Sequence, residues 1–330
     1  MRNGKFVISL DFESHWGFFD NTSLNDCRLQ LTNINTVIEK LLALSKQYNV
    51  GITFATVGMM FAKNKNDITQ YLPKLKPNYN NNALDAYNLL NGITDEDQKL
   101  YFTQDLVNKI EQDPLHEIGT HTFCHYYCYE NGQTIEDFKE DLISAVKVAK
   151  DLNIDTKSIV FPRNQVKESY LGVCEELGIE TYRGNCWFNF NSDRKKIAIK
   201  GFGLTILRII DSYLNISGSN SFKLEDYNSK GANLINIPSS RFLRPYNSRL
   251  KLMESLKINR IKKAMTKAAK RNETYHLWWH PHNFANNIEE NFKNYIDILQ
   301  HYKKLNTKYN FESITMQKLG KEYKRFELVI

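Results

Sequence analysis

Ser158-Ile159-Val160-Phe161, an apolar-periodic run from Val166 to Leu177, a stop at Gly178 and Ile179-Glu180-Thr181-Tyr182 spell strand, helix, strand within residues 158–182. Two strands joined by a helix pair in parallel, because the helix returns the chain to the starting edge. The same rhythm extends outward. Phe6 to Asp11 reads as a buried strand, and residues 29–48 place Leu29, Ile34, Val37, Ile38, Leu41 and Leu42 at helical spacing. Val50 to Val57 is a second strand. Ile110 to Thr120 shows a helix end, a turn at Asp113-Pro114 and a strand through Ile118, with residues 135–152 helical after it. His276 to Trp279 is strand-like and residues 285–304 are again helical. Repeated βα units define an α/β protein with a parallel sheet. No Gly-rich nucleotide fingerprint marks an open doubly wound sheet, so a barrel is expected, as one domain over residues 1–330.

Two stretches break the rhythm. Residues 73–103 carry Pro73, Pro77 and an Asn-rich run from Asn78 to Asn82, and residues 186–247 mix polar and aromatic residues with Gly201, Gly203, Gly218, Gly231 and Pro238. Both are expected as insertions between barrel elements, where long loops shape binding sites.

The 42% hydrophobic and 25% charged shares are those of a globular chain able to bury its own core. No run reaches the roughly 18 apolar residues of a membrane span. The apolar run after Lys5 is broken by Asp11 and Glu13, unlike a secretory leader. Five cysteines (Cys27, Cys124, Cys128, Cys174, Cys186) are odd in number and irregularly spaced, which points to reduced thiols and a cytoplasmic setting. The net charge of +7 is concentrated: residues 249–271 hold nine Lys or Arg against Glu254 alone. With Leu252, Leu256, Ile261, Met265 and Ala268 at helical intervals, that segment reads as a basic amphipathic helix. It is either an outer barrel helix with a solvated face or a peripheral surface for anionic membrane or phosphate. No recognition motif accompanies the charge, which argues against nucleic acid.

His116-Glu117 ahead of His121 does not make a zinc-protease helix, which needs two His four apart with Glu beside the first. His116 is expected to be structural. His121 and His125 are four apart at a strand end, and on a helical turn both imidazoles face one side and can share a cation. Alone, the pair is better read as two satisfied or exposed histidines. Other strand ends change the balance: Asp11 and Glu13 close the first strand, Arg163 another, His280 and His282 a late one. The C-terminal strand ends of a barrel form one mouth. Two His and a carboxylate make the donor set of a hydrolytic metal site.

Ile8-Ser9-Leu10-Asp11-Phe12-Glu13 and His116-Glu117-Ile118-Gly119-Thr120-His121-Thr122-Phe123-Cys124-His125 resemble the first two motifs of the polysaccharide deacetylase family. Phe161-Pro162-Arg163-Asn164-Gln165 is similar to its third. Leu277-Trp278-Trp279-His280-Pro281-His282-Asn283-Phe284 looks like its last, in the version found in bacterial surface-polysaccharide gene clusters. The resemblance implies a distorted, incomplete (β/α) barrel with fewer than eight regular units. It implies a metal-dependent hydrolase that removes an N-acetyl or other N-acyl group from an amino sugar. A phosphate-holding role for the basic segment 249–271 would suit a nucleotide- or lipid-linked sugar, since both carry pyrophosphate. Asp11 would be the general base, His121 and His125 metal ligands, Arg163 the cation that pairs with Asp11 and keeps it ionised, and His280 the general acid. Many members carry two adjacent acids, the second a ligand, and here that position is Phe12. Side chains alternate along a strand, so Asp11 and Glu13 share one side and Glu13 is expected as the third ligand. Zn²⁺ is the expected ion by ligand preference, with Co²⁺ second.

Trp16, Tyr126, Tyr127, Trp278 and Trp279 flank the motifs. Of these, Trp16, Tyr126 and Trp279 are expected as substrate contacts, and His282 as a substrate contact or a partner of the site. Two other readings compete. A metal-independent amidohydrolase on a small cyclic amide, allantoinase-like, has no use for the histidine pair. A catalytically silent saccharide-binding relative has no use for a base, its cation and an acid.

Overall fold

The computed structural model describes residues 3–185 and 202–328. Its strands are β1 (Lys5–Phe12), β2 (Thr53–Thr56), β3 (Glu117–Thr120), β4 (Ser158–Ile159), β5 (Thr181–Tyr182), β6 (Ile235–Asn236), β7 (Arg241–Phe242), β8 (Thr274–Trp279) and β9 (Glu312–Ser313). They pair in parallel in the order β6-β5-β4-β3-β2-β1-β8-β7, with β9 beside the start of β1. This is the distorted, incomplete (β/α) barrel that the motifs imply. The two ends of the path meet through one segment. Ile235, Ile237 and Ser239 donate backbone N–H groups to Glu180, Tyr182 and Gly184 on the β5 side, while Ser240 and Leu243 donate to His276 and Trp278 on the β8 side. Pro238, which has no N–H to give a ladder, sits where the segment changes partners. Thus β6 and β7, which lie inside the stretch 186–247 expected as an insertion, supply the closing stave. Part of that expected insertion, residues 186–201, lies outside the described residues, as does Cys186.

Alternation along β1 and β8 sorts side chains between two cores. Phe6, Ile8, Leu10 and Phe12 join Tyr275, Leu277 and Trp279 in the large core between sheet and helices. Val7 turns inward to a lumen core with Ala55, Val160, Ile235, Ile237 and Ile314, plugged from below by Met316, Leu319 and Tyr323. A polar floor ties this plug to the staves: the buried Glu117 carboxylate accepts from Thr53 Oγ1 (2.9 Å), Gln317 N (2.9 Å) and Ser158 Oγ. Above it, Phe12, Thr56 and Thr120 stand level in the register, which brings the residues that follow each to one rim.

Residues 73–103 run between β2 and β3 as short helical turns, including Asn82–Leu84, Ala86–Gly92 and Gln98–Leu100. They pack Tyr79 and Leu84 on Tyr127, and Tyr101 and Phe102 edge-on to Trp16, forming a wall of the rim. The basic segment forms the helix Glu254–Arg271. Ile258, Ile261, Met265 and Ala268 are buried in the helix-layer core. No described helix is long and apolar enough to cross a membrane. Cys27, Cys124, Cys128 and Cys174 carry free, buried thiols.

His116 is structural: its buried ring accepts from Ile52 N (3.3 Å) and stands edge-on to Phe54. Burial pulls its imidazole down to about 4. The unfolded chain takes up that proton near pH 6.5 and the folded chain does not, so acid favours unfolding between the two values. His116→Gln is therefore expected to lose stability less steeply than the wild type from pH 6.5 to 4, by up to one proton, or about 1.4 kcal/mol per pH unit. Urea unfolding across that range measures the difference in slope.

Candidate active site

The inward face of β1 carries Ser9 and Asp11, and Glu13 follows on the same side. Glu13 Oε2 lies 3.3 Å from His121 Nε2 and 3.2 Å from His125 Nε2. These three donors are buried and lie within 4.8 Å of one another, a group that can hold a metal ion. The fit extends beyond the donors. His121 Nδ1–H donates to the Val160 carbonyl at 2.7 Å, which fixes the tautomer with Nε2 free, and that Nε2 has no hydrogen-bond partner though fully buried. Burial pulls the His125 imidazole down against the opposing Glu13 charge, favouring the neutral form a ligand needs. Burial alone would raise the Glu13 carboxyl, but His280, His121 and His125 hold it well below the usual range. Phe12, at the position where many relatives have an acid, points into the helix-layer core.

Asp11 is 2% exposed and is gripped by Arg183. Arg183 Nη1 donates to Asp11 Oδ1 at 2.6 Å and Nη2 to Oδ2 at 2.8 Å. Arg183 also donates to Ser9 Oγ (3.0 Å) and Asn164 Oδ1 (2.9 Å), and lies 4.2 Å over the Trp278 ring. Burial pushes the Asp11 carboxyl up, and Arg183, His121 and His280 together outweigh it, leaving it below its ordinary value. His276 completes the chain: Ser9 Oγ meets its Nε2 at 2.8 Å, and its Nδ1 faces the Pro238 carbonyl at 3.1 Å.

This corrects the expected partner of Asp11. Arg163 instead donates to Asp20 Oδ2 at 2.5 Å and lies 4.5 Å over Tyr127. Its backbone is left-handed, φ 53°, and follows β4, whereas Arg183 directly follows β5. A cation at the end of a predicted strand was the right signal, and two strands offered one.

His280 leaves β8 with its Nε2 3.7 Å from Asp11 Oδ2 and 3.6 Å from Glu13 Oε1, its side chain 24% exposed. The Asn283 amide donates to His280 Nδ1 at 3.2 Å, which places the ring proton on Nε2, facing the two carboxylates. His282 stacks on His280 (5.1 Å, 27°) and packs on Phe18, with burial and then His280 pulling it down to about 3.

The expected aromatic contacts are placed differently. Trp16 is fully buried and donates Nε1–H to the Tyr101 carbonyl. Tyr126 is fully buried with its hydroxyl on Thr134 O and Gln133 Oε1. Trp279 is fully buried, stacked on Phe284 at 5.4 Å. All three are core residues, so they are not substrate contacts. Trp278, one residue earlier in β8, takes the inward face instead, between Arg183 and Phe242.

Strain marks the rim. Apart from asparagines, the described non-glycine residues with positive φ are Ser14, Thr122, His125 and Arg163, all in the loops that follow β1, β3 and β4. The loop between His121 and His125 is clamped by Asp141 from the helix Ile135–Asp151, which accepts from Phe123 N (2.7 Å) and Cys124 N (3.0 Å). Neither Asp141 nor Gly17 carries a signal that spacing alone could reveal.

Residues 7–182, more than half of the chain, match the model of the polysaccharide deacetylase family, and the chain belongs to that family. Its fold is similar to that of a Mycobacterium smegmatis protein assigned as a polysaccharide deacetylase (TM-score 0.61, 9% identity, 98% of this chain and 91% of that one). It is also similar to one so assigned from Pseudomonas aeruginosa PAO1 (0.59, 10%, 97% and 91%). The Puue allantoinase structure shares the fold as well (0.55, 10%, 97% and 89%). No curated protein matches the chain.

A Cβ at Gly17 would fall 2.0 Å from Glu13 Cδ. Gly17→Ala is therefore expected to push Glu13 off the histidine pair and weaken divalent-ion affinity about tenfold or more with the fold retained, as read by metal titration beside circular dichroism. Arg183→Gln leaves a buried carboxylate unpaired and is expected to cost about 3–5 kcal/mol in urea unfolding. Adding Asp11→Asn should recover much of that loss.

Proposed function

We propose that this chain is a metal-dependent hydrolase that removes an N-acyl group, acetyl first among them, from an amino sugar in surface polysaccharide biosynthesis. One observation carries the reading: a buried carboxylate held ionised by a guanidinium and the His280 ring nitrogen, 3.7 Å apart, stand together beside a Glu-His-His cluster. Family membership supplies the reaction class. A divalent ion on Glu13, His121 and His125, Zn²⁺ by preference and Co²⁺ as an alternative, would polarise the acyl oxygen and acidify the hydrolytic water. Asp11 takes the proton from that water as it attacks the amide carbon. Arg183 keeps Asp11 charged and aimed. His280, as the imidazolium with the Asn283 amide turned so that its Oδ1 accepts from Nδ1–H, would deliver its Nε2 proton to the nitrogen as the carbon–nitrogen bond breaks, giving the carboxylate, the free amine and a neutral ring. His282 keeps the His280 ring in place by stacking.

The substrate reading extends to a sugar carried on a nucleotide or lipid diphosphate. Peripheral membrane contact through residues 249–271 would rest on Leu252, Met253 and Leu256, exposed beside Arg249 and Lys251, since the rest of the apolar stripe is taken by the barrel. Free thiols on the described cysteines support a cytoplasmic setting. The allantoinase likeness is one of fold, and a paired-histidine donor set favours the metal reading over it.

Metal analysis of the purified protein should find about one divalent ion per chain, lost in His121→Ala. Acetate release from N-acetylated sugars should fall at least about 10²-fold in Asp11→Asn and in His280→Ala. Absence of metal in the wild type would remove the ligand assignment, and full activity in Asp11→Asn would remove the base.

A further inference from the structure

A second cluster of charge stands between β7 and the outer helices, outside the groups just assigned. Arg241, on β7, donates to Asp211 Oδ2 (2.6 Å), Ser217 Oγ (3.1 Å) and the Gly218 carbonyl (2.9 Å). Arg260, from the helix Glu254–Arg271, donates to Asp211 Oδ1 (2.8 Å), Ser217 Oγ (3.2 Å) and Asn215 Oδ1 (3.4 Å). Its Nη1 is buried without a hydrogen-bond partner. Arg244, two residues past β7, donates Nε–H to Ser212 Oγ at 2.6 Å and stands 6.0 Å over the Phe242 ring. Among the described residues, no carboxylate pairs with Arg244 within ion-pair distance. The neighbouring Lys257 is already matched by Glu254 (2.7 Å) and donates to the Arg244 and Pro245 carbonyls. Among the described residues, three guanidinium groups therefore face one carboxylate, Asp211.

An excess of cations in a half-dry setting is costly unless an anion joins them. Burial, followed by the charge of Arg241, pulls the Arg260 guanidinium down to about 10, which registers the same excess. The cluster is also placed for the reaction. The Phe242 ring beneath Arg244 lies 5.7 Å from the His280 ring and 4.7 Å from Trp278. In a 2-acylamino sugar linked through carbon 1, the linking phosphate sits on the carbon next to the one that bears the amide. A phosphate one ring away from the general acid is what such a substrate would present.

We propose that Arg244, backed by Arg241 and Arg260, is an anion subsite that takes the phosphate of a diphosphate-linked amino sugar. This rests on the deacetylase reading and deepens it. Arg244, half-buried and with its Nε–H already given to Ser212, would offer its Nη groups, while Arg241 and Arg260 supply charge from behind.

The test has a binding arm and a kinetic arm. Inorganic pyrophosphate is titrated calorimetrically into the full chain in the His121→Ala background, which removes chelation at the ligand cluster. Binding is expected, weakened about tenfold or more by Arg244→Ala and partly restored by Arg244→Lys. Equal binding in all three, or none in the Arg244-containing protein, overturns the subsite. In the kinetic arm, Arg244→Ala should raise KM about tenfold for a diphosphate-linked N-acetylhexosamine with kcat held, and leave KM for the free sugar unchanged. Comparing uridine-diphosphate and polyprenyl-diphosphate carriers assigns the source of the phosphate. An equal loss on free and linked sugars overturns the proposal. If the wild type hydrolyses no N-acyl sugar at all, the deacetylase reading falls, while the pyrophosphate titration still decides the subsite.

Discussion

Asp11 carries its charge at the end of β1 inside a nearly closed lumen, where an unpaired carboxylate costs several kcal/mol. Arg183 meets it with two parallel bonds of 2.6 and 2.8 Å, and neither residue is more than 2% exposed. For that to happen β1 and β5, which are not neighbours in the sheet, must end at the same height. The pair is thus a gauge across the barrel. Asn164 from the β4 loop and Ser9 from β1 take further donors of the two Nη groups, and His276 from β8 ties Ser9 to the closing stave at Pro238. Four staves and the closure are set by one ion pair and its partners.

The same period-two rule that aims Asp11 inward decides what its neighbours do. Along β1 it sends Phe12 outward to the helices and brings Glu13 round to His121 and His125, so an acid one residue later still reaches the histidine pair. Gly17 is the local condition for this, because its missing side chain is the space that the Glu13 carboxylate occupies. Along β8 the rule places His276, Trp278 and His280 on one face. The inward residue is Trp278, which stacks on Arg183 and so touches the orienting group directly.

Much of this was legible, and the failures have physical causes. The parallel βα rhythm, the meeting of Glu13 with His121 and His125 and the position of His280 follow from strand ends and alternation. Trp279 was a misreading of alternation that the sequence itself could have prevented: counted back from His280, the shared face is Trp278. The choice between Arg163 and Arg183 was different. Each follows a strand, and only the turn taken by the backbone after β4, left-handed at both Arg163 and Asn164, sends one guanidinium to Asp20 and leaves Asn164 to steady the other. Short strands of two residues also hide in polar sequence, which is why Ile235–Asn236 and Arg241–Phe242 read as part of an insertion.

Strands alone do not finish the site. His121 extends β3, but His125 must turn back toward Glu13 within four residues, and the chain does so through left-handed conformations at Thr122 and His125 that side-chain-bearing residues avoid. Such strain persists only where the surroundings over-determine it. Asp141 holds the Phe123 and Cys124 N–H groups, Thr122 Oγ1 accepts from Tyr126 N at 2.7 Å, and Gly58 lets the Phe123 backbone approach more closely than any side chain would allow. Burial raises the Asp141 carboxyl to about 6, so the clamp itself is held at an electrostatic cost near neutral pH. A loop that needs a buried carboxylate, a hydroxyl and a glycine to stay folded is shaped by the position of its two imidazoles, and the large buried core beneath it supplies the free energy that keeps it there.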